Sequence, residues 1–477
     1  MIRIPDLKNK KTAVFGLGAT GLAAARALAA SGAHVFTWDE NADAREKAKK
    51  TPYDPDHPKN WPWAELQFLV LSPGVPLTFP RPHAIVRKAK SAGVRVLGDV
   101  ELFAMSMNAA PEEERPRVVA ITGSNGKSTT TALITHILEE TGRPAFAGGN
   151  IGQPLLDMPA FEKDNIYVLE LSSFQLDLAM TFRANIAVLL NVSPDHLDRH
   201  GDMARYLAAK QRIFYNQTAD DIAIVGVDDE NVQGVCATLS GRKRARVIPV
   251  STQGALGHGV YTLDGRLFYN FGDKSGEAGS IESIATLKGA HNWQNAGSAL
   301  AATAMLDVAP SVAVKAMERF KGLPHRMETV ARIDDITFVN DSKATNAEAA
   351  QRALGAYDDI YWIAGGKPKE GGVEALTQQL SNVRGAYLIG EASALFASQL
   401  GDATRVEECG NLAAALTRAL ADARAEGRKT PTILFSPACA SYDQFKNFVD
   451  RGDTFRRLVL NEAAAKEDAA QTPGAAA

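Results

Sequence analysis

Short apolar runs rich in β-branched residues alternate with Ala- and Leu-rich helical stretches along nearly the whole chain. No other feature constrains the fold as tightly. The runs span residues 12–15, 118–121, 167–171, 186–190, 222–225, 360–363, 386–389 and 432–435. They are almost continuously apolar, the pattern of parallel strands covered on both faces. Strand–helix–strand order of this kind builds right-handed crossover units, so the expected fold class is α/β with mostly parallel sheets. One stretch departs from this: residues 259–272 read as a β-hairpin turning at Asp264-Gly265.

The chain has 477 residues, enough for two to four domains. A Pro- and Glu-rich break at residues 108–117 and a second at Lys321-Gly322-Leu323-Pro324 divide it into three. The expected domains are 1–115, Rossmann-like; 116–322, a central P-loop-type ATPase domain with a mostly parallel sheet; and 323–462, again a Rossmann-like α/β domain. Residues 463–477 are Ala-rich and predict a disordered tail. The balance of 52 basic and 55 acidic residues lacks the basic excess of a nucleic-acid-binding protein. No apolar run is long enough to span a membrane, and the opening residues lack a signal-peptide core. Cys236, Cys409 and Cys439 are odd in number and far apart, which fits reduced thiols rather than a disulfide framework or zinc site. A soluble cytoplasmic protein is expected, with neither a nucleic-acid nor a membrane partner.

Gly16-Leu17-Gly18-Ala19-Thr20-Gly21 follows the first strand and opens a helix, and Asp39 ends the next strand. The glycines permit close backbone approach to a phosphate at a helix N-terminus, and the carboxylate stands where a ribose ligand sits in dinucleotide folds. Three readings stay open at this point: a dinucleotide, another diphosphate ligand, or glycines that only let strand and helix pack.

Thr122-Gly123-Ser124-Asn125-Gly126-Lys127-Ser128-Thr129 is the stronger motif. It lies between a strand and a helix, where backbone N–H groups cradle nucleotide phosphates, Lys127 reaches the β- and γ-phosphates, and Ser128 can ligate Mg2+. It departs from the common loop in having Thr122 where a glycine usually stands. Two phosphate loops in one chain suit ATP meeting a second phosphate-bearing ligand better than they suit a simple dehydrogenase. Downstream, Glu170 ends a strand and is a candidate Mg2+ ligand. The segment Asn191-Val-Ser-Pro-Asp-His-Leu-Asp-Arg-His200 clusters ionisable groups, with His196 the preferred ligand. Lys210 follows on a helix.

Together these motifs resemble the ATP-dependent Mur ligases of peptidoglycan synthesis. The likeness adds Lys210, fourteen residues after His196, then His291-Asn292-x-x-Asn295, Leu323-Pro-His-Arg326-Met-Glu328 and Asn340-Asp341-Ser-Lys343-Ala-Thr345-Asn346. It ends with Ser436-Pro-Ala-Cys-Ala-Ser441-Tyr-Asp-Gln-Phe-Lys-Asn-Phe448, and covers the chain except its tail. Within the family the last segments are most similar to the branch that adds D-glutamate to UDP-N-acetylmuramoyl-L-alanine. The resemblance implies ATP, two Mg2+ ions and a CO2-derived carbamate on Lys210, in a monomer acting on three small molecules: ATP, D-glutamate and the UDP-sugar.

The resemblance also implies roles for individual residues. Gly123, Ser124, Asn125, Gly126, Lys127, Ser128, Thr129, Asn292, Asn295, Arg326, Asp341 and Lys343 would bind ATP. Gly18, Thr20, Asp39, Ser72, Gly74, Asn150, Gln175 and His196 would bind the UDP substrate. Thr345, Lys369, Ser441 and Phe448 would bind D-glutamate. Lys127, Glu170, His196 and Lys210 would be catalytic, and Ser128, Glu170, His196 and carbamylated Lys210 would hold metal. Two departures from the family pattern stand out. Pro368 precedes Lys369, leaving Lys367 as a competitor for its role, and no Arg follows Asp39 directly.

Overall fold

The computed structural model describes residues 1–471 apart from Lys50, Pro52, Asp54, Glu370 and Asp402. Three sheets account for the architecture. The first is wholly parallel, with strands β1 (Lys11–Phe15), β2 (His34–Trp38), β3 (Leu66–Leu71) and β4 (Arg95–Leu97) in the order β2-β1-β3-β4. Side chains alternate between two cores: Ala13, Phe15, Leu69 and Leu71 enter one, and Val14, Phe68 and Val70 the other. Burial on both faces is what the continuous apolar runs require.

The second sheet has nine strands: β5 (Arg117–Thr122), β6 (Ala145–Gly149), β7 (Ile166–Glu170), β8 (Ile186–Leu189), β9 (Ile222–Gly226), β10 (Arg246–Ser251), β11 (Gly259–Leu263), β12 (Arg266–Asn270) and β13 (Ser275–Ser280). Their order is β13-β12-β11-β10-β9-β8-β5-β7-β6. Only the β11–β12–β13 edge is antiparallel. The expected hairpin is β11–β12: Leu263 pairs with Arg266 around Asp264 and Gly265, which adopt φ of 47° and 71°, as a two-residue type I′ turn demands.

The third sheet comprises β14 (Glu328–Ile333), β15 (Ile336–Asn340), β16 (Asp359–Gly365), β17 (Val383–Ile389), β18 (Val406–Gly410) and β19 (Pro431–Phe435), in the order β14-β15-β19-β16-β17-β18. It is parallel except for β14. It too is covered on both faces, by cores around Trp362, Leu388 and Leu434 and around Tyr361, Ile363 and Phe435. The last helix, Phe448–Gln471, runs on through residues 463–471, where composition predicts a disordered tail. Alanine is the strongest helix former, so an Ala-rich sequence behind an anchored helix extends it. The rest of that expected tail, residues 472–477, lies outside the described residues.

The chain forms two compact units: Met1–Ile281 with Asn292–Arg319, and Glu282–His291 with Phe320 onward. The first holds both the first and second sheets, joined by the helix Asp99–Ala109. Glu101 on that helix accepts hydrogen bonds from the Met180 and Thr181 backbone N–H groups and the Thr181 hydroxyl, at 2.6, 2.8 and 2.9 Å. Asp99 accepts from Gln175 Nε2 at 2.9 Å. Bonds to a buried charge contribute roughly 1.5–3 kcal/mol each. These two carboxylates therefore fix the segment after β7 against the first sheet.

The first glycine loop is partly a packing device. A Cβ at Gly21 would lie 1.7 Å from the Gly16 carbonyl oxygen, and one at Gly16 would lie 2.3 Å from Ser72 Cβ. Gly18 has nothing within 4 Å and is the open position. Gly21→Ala is therefore expected to cost more than about 3 kcal/mol in urea unfolding, whereas Gly18→Ala stays within about 0.5 kcal/mol. Equal stability of the two variants would contradict this division.

Candidate active site

The second glycine loop leaves β5 at the carboxyl ends of three adjacent strands. Ile121 pairs with Glu170 on β7, and Thr122 pairs with Leu189 on β8. That edge is where α/β sheets bind ligands. The loop is held by its neighbours. Ser124 N–H donates to the Asn191 carbonyl and Asn125 N–H to Asn191 Oδ1, both at 2.9 Å. Ser124 Oγ donates to the Ser193 carbonyl at 3.0 Å and lies 3.1 Å from Tyr206 Oη. Gly126 adopts φ +84°, and a Cβ there would meet Asn295 Oδ1 at 2.2 Å. The helix Lys127–Glu140 then begins with its N-terminus at the loop.

One oxygen organises the cations. The Gly123 carbonyl accepts from Lys127 Nζ and from Lys210 Nζ, each at 2.8 Å. Lys127 also donates to the Ser124 carbonyl. Lys210 is 1% exposed, with its Nζ 4.4 Å from the Tyr206 ring centre. Burial pushes its pKa well below the usual lysine value. The Lys127 charge pushes the same way, and Asp195 and Glu170 oppose it. Lys127, Glu170, Asp195 and Lys210 therefore share one electrostatic neighbourhood. His196 belongs to it too: burial lowers its pKa, Asp195 opposes, and Lys127 and Lys210 add to the lowering.

Glu170 is 2% exposed. Its Oε1 accepts from Asn150 Nδ2 at 2.9 Å, while its Oε2 is buried without a hydrogen-bond partner. A buried carboxylate oxygen left free beside a phosphate loop fits a hard divalent cation. Ser128, also buried, adds a hydroxyl on the helix's first turn. Among the described residues no three His, Cys, Asp or Glu side chains cluster as a self-contained metal cage.

Several residues expected to meet the UDP substrate have their polar atoms engaged within the protein. Asp39 accepts from the Leu17 N–H at 2.6 Å and the Asn41 N–H at 2.8 Å, closing the first glycine loop. Gln175 is buried, capping its own helix through Ser172 and donating to Asp99. Asn150 orients Glu170. Gly18 is exposed and Thr20 half-buried at the start of the first helix. The Ser72-Pro73-Gly74 turn is tied to the His196 segment by Arg199, whose guanidinium donates to the Gly74 carbonyl at 2.7 Å and stacks 4.8 Å over the Phe174 ring. Beside this loop, Phe15, Trp38, His57, Trp63 and His83 line a cleft of about 420 Å3, and Arg45 stacks on Trp38 while bonding the Asp39 and Glu40 carbonyls. Asn191 and Arg199 lie in the segment the sequence singles out, though with no role assigned there, while Tyr206 and this aromatic cleft carry no sequence signal of their own. Asn191 is the first polar residue after β8, two positions on; the partners that Arg199 and Tyr206 meet, and the cleft, are set by tertiary contacts.

In the second unit, Asp341 is buried, with its carboxylate accepting from Ser436 Oγ at 2.8 Å and the Met327 N–H at 3.2 Å. Burial raises its pKa to about 7 against those hydrogen bonds and the Arg326 and Arg451 charges. Lys343 Nζ lies 3.8 Å from the Phe448 ring centre. Ser441 is buried and Thr345 half-buried. Lys367 and Lys369 are both exposed, and the Lys367 backbone pairs with Ala440, next to Ser441. In the first unit, Asn295 donates to Asn292 Oδ1 and accepts from Thr130 Oγ1, so this pair braces the phosphate-loop helix.

Residues 121–303 match the Mur ligase middle domain and residues 325–439 the Mur ligase, glutamate ligase domain. A UDP-N-acetylmuramoylalanine--D-glutamate ligase of Phenylobacterium zucineum is 48% identical over 98% of this chain and 100% of its own. One from Brucella abortus is 45% identical over 96% and 97%. Among solved structures, the UDP-N-acetylmuramate-alanine ligase of Thermotoga maritima shares the fold at a TM-score of 0.57 and 16% identity, over 96% of this chain and 99% of that one. The chain belongs to the Mur ligase family, and it is a ligase. No helix among the described residues is long and apolar enough to cross a membrane.

His200 gives this region a pH signature. Its Nε2 lies 2.9 Å from Ser173 Oγ and its ring stacks on Phe174 at 5.1 Å. Burial, then the Lys210, His196 and Arg199 charges, lower its pKa to about 4, against Asp198. The unfolded chain keeps a value near 6.5. Between these values the unfolded state binds the extra proton, so His200 contributes stability above pH 6.5 that is lost as pH falls toward 4. Melting temperature should drop over that interval, and His200→Gln should flatten the slope. An identical slope in the variant would contradict the assignment.

Proposed function

We propose that the protein joins D-glutamate to UDP-N-acetylmuramoyl-L-alanine at the expense of ATP, releasing ADP and phosphate, as a cytoplasmic step of peptidoglycan precursor synthesis. The carrying observation is the Gly123 carbonyl shared by two lysines beside the free oxygen of buried Glu170. The pocket sets the Lys127 ammonium and the buried Lys210 amine beside the Glu170 and Asp195 carboxylates, an arrangement suited to a metal-bound triphosphate and a carboxylate. Similarity over the full chain to ligases named for D-glutamate supports the choice of amino acid.

A carboxylate resists attack by an amine. In the proposed reaction one of its oxygens attacks the γ-phosphorus of ATP, the bond to ADP breaks, and an acyl phosphate forms. The neutral amine of D-glutamate adds to the acyl carbon and loses a proton. The tetrahedral adduct then expels phosphate and leaves an amide. Both steps concentrate negative charge, so positioning and fixed positive charge are the means of catalysis. Lys127 and the backbone of Gly123, Ser124, Asn125 and Gly126, with Ser128 and Thr129, would hold the phosphates, and Asn292, Asn295, Arg326, Asp341 and Lys343 would serve the nucleotide. Ser128, Glu170, His196 and Lys210 would hold two Mg2+ ions, which when bound neutralise charge on phosphate oxygens.

A buried, neutral Lys210 amine can add CO2, forming an N–C bond and releasing a proton. The carbamate turns this amine into an anionic oxygen ligand. Gly18, Thr20, Asp39, Ser72, Gly74, Asn150, Gln175 and His196 would face the UDP substrate, and Thr345, Lys369, Ser441 and Phe448 D-glutamate. The proposed domains are 1–115, 116–322 and 323–462, in a monomer.

ADP release tests the reading. With UDP-N-acetylmuramoyl-L-alanine present, D-glutamate should drive turnover at least a hundredfold faster than L-glutamate, and Lys127→Ala should abolish it. Equal rates with either enantiomer, or an active Lys127→Ala protein, would overturn the assignment.

A further inference from the structure

Arg451 is an arginine with 0% exposure, and all four of its hydrogen-bond acceptors are neutral oxygens. Nε donates to Ser342 Oγ at 3.1 Å and Nη2 to the Ser342 carbonyl at 2.8 Å. Nη2 also donates to the Cys439 carbonyl at 3.1 Å, and Nη1 to the Ala440 carbonyl at 3.3 Å. The Asp341 and Asp443 charges favour the guanidinium without hydrogen-bonding it, and a buried cation bonded only to neutral oxygens is still a costly arrangement, so its geometry needs a reason. A guanidinium presents its donors in one rigid plane, which a lysine cannot do. Here that plane spans two loops: Ser342 lies between Asp341 and Lys343, and Ala440 precedes Ser441.

A third segment is fitted to the same group. Gly366 adopts φ +134°, and a Cβ there would sit 2.4 Å from the Ala440 carbonyl and 3.1 Å from Arg451 Nη1. Gly366 immediately precedes Lys367 and the Lys369 loop. Ser342 Oγ in turn donates to the Phe448 carbonyl at 2.8 Å.

We propose that Arg451 is a positioning residue that locks the nucleotide loop of residues 341–343 to the acceptor-amino-acid loop of residues 439–441, so that neither site holds its geometry without the other. This rests on the functional reading above, in which Asp341 and Lys343 serve ATP while Ser441 and Lys369 serve D-glutamate. Arg451 touches no substrate in this account; it acts through backbone carbonyls and Ser342.

The test measures KM for each substrate, kcat and melting temperature on full-length Arg451→Lys and Ser342→Ala proteins. Arg451→Lys keeps the charge and loses the fork. It should raise KM for ATP and for D-glutamate together, on the order of tenfold, with KM for the UDP substrate unchanged. Ser342→Ala removes a single side-chain acceptor, is the milder variant if Arg451→Lys folds poorly, and should move the same two constants in the same direction by a smaller factor. A fall in melting temperature with all KM values intact, or a change confined to one substrate, would overturn the proposal. A wild-type protein with no D-glutamate-dependent ADP release would overturn the functional reading and this inference with it. Normal wild-type turnover with unchanged variant constants overturns this inference alone.

Discussion

The side-chain nitrogens of Lys127 and Lys210 converge on the Gly123 carbonyl oxygen inside the first unit, and Lys210 is almost fully buried. Like charges in a low-dielectric site repel strongly unless anions are near. The protein supplies Glu170 and Asp195, which only partly offset the burial of Lys210. In the proposed reaction the remaining demand for negative charge is met by a triphosphate and a substrate carboxylate. The loop's hydrogen bonds to Asn191 and Ser193, the packing of Gly126 against Asn295, and the placement of Glu170 in register with Ile121 all serve to keep those charges at fixed positions. Preorganisation of this kind lets charge that develops during reaction meet dipoles that do not have to turn.

Much of this was legible in the sequence because it is contiguous. The phosphate loop, the run before Glu170 and the hairpin at Asp264-Gly265 each carry their meaning in a few neighbouring residues whose spacing is dictated by backbone geometry. The individual ligand contacts were less legible. Asp39, Gln175 and Asn150 occupy positions where a ligand contact is expected, yet their polar atoms are engaged by Leu17, Asp99 and Glu170. Spacing along the chain shows where a side chain starts, not which partner its far end finds. The same holds for Gly16 and Gly21, which packing requires, while Gly18 alone has open space around it. A dinucleotide reading of that loop draws on glycines whose absent side chains are already explained by Ser72 and by the loop's own carbonyl.

Arg451 shows the limit from the other side. In sequence it is one of several charged residues near the end of the chain, and no motif marks it. Its burial depends on residues about 12 and 109 positions away, a tertiary arrangement with no local signature except the neighbouring Gly452, where a Cβ would strike the His325 ring at 2.2 Å. The expected tail is the converse case. There composition suggested disorder, but alanine's propensity, added to a helix anchored by Phe455 and Val459, carries the helix to Gln471.

The chemistry at the centre of this account is transfer of a phosphoryl group onto the sugar-linked carboxylate before the amide forms. Oxygen tracing reads that step with no mutation at all. With the alanyl carboxylate of the UDP substrate enriched in oxygen-18, each turnover should leave one labelled oxygen in the inorganic phosphate released. Phosphate that emerges unlabelled while amide accumulates would show that the carboxylate is never phosphorylated, and the reading of this pocket would be wrong.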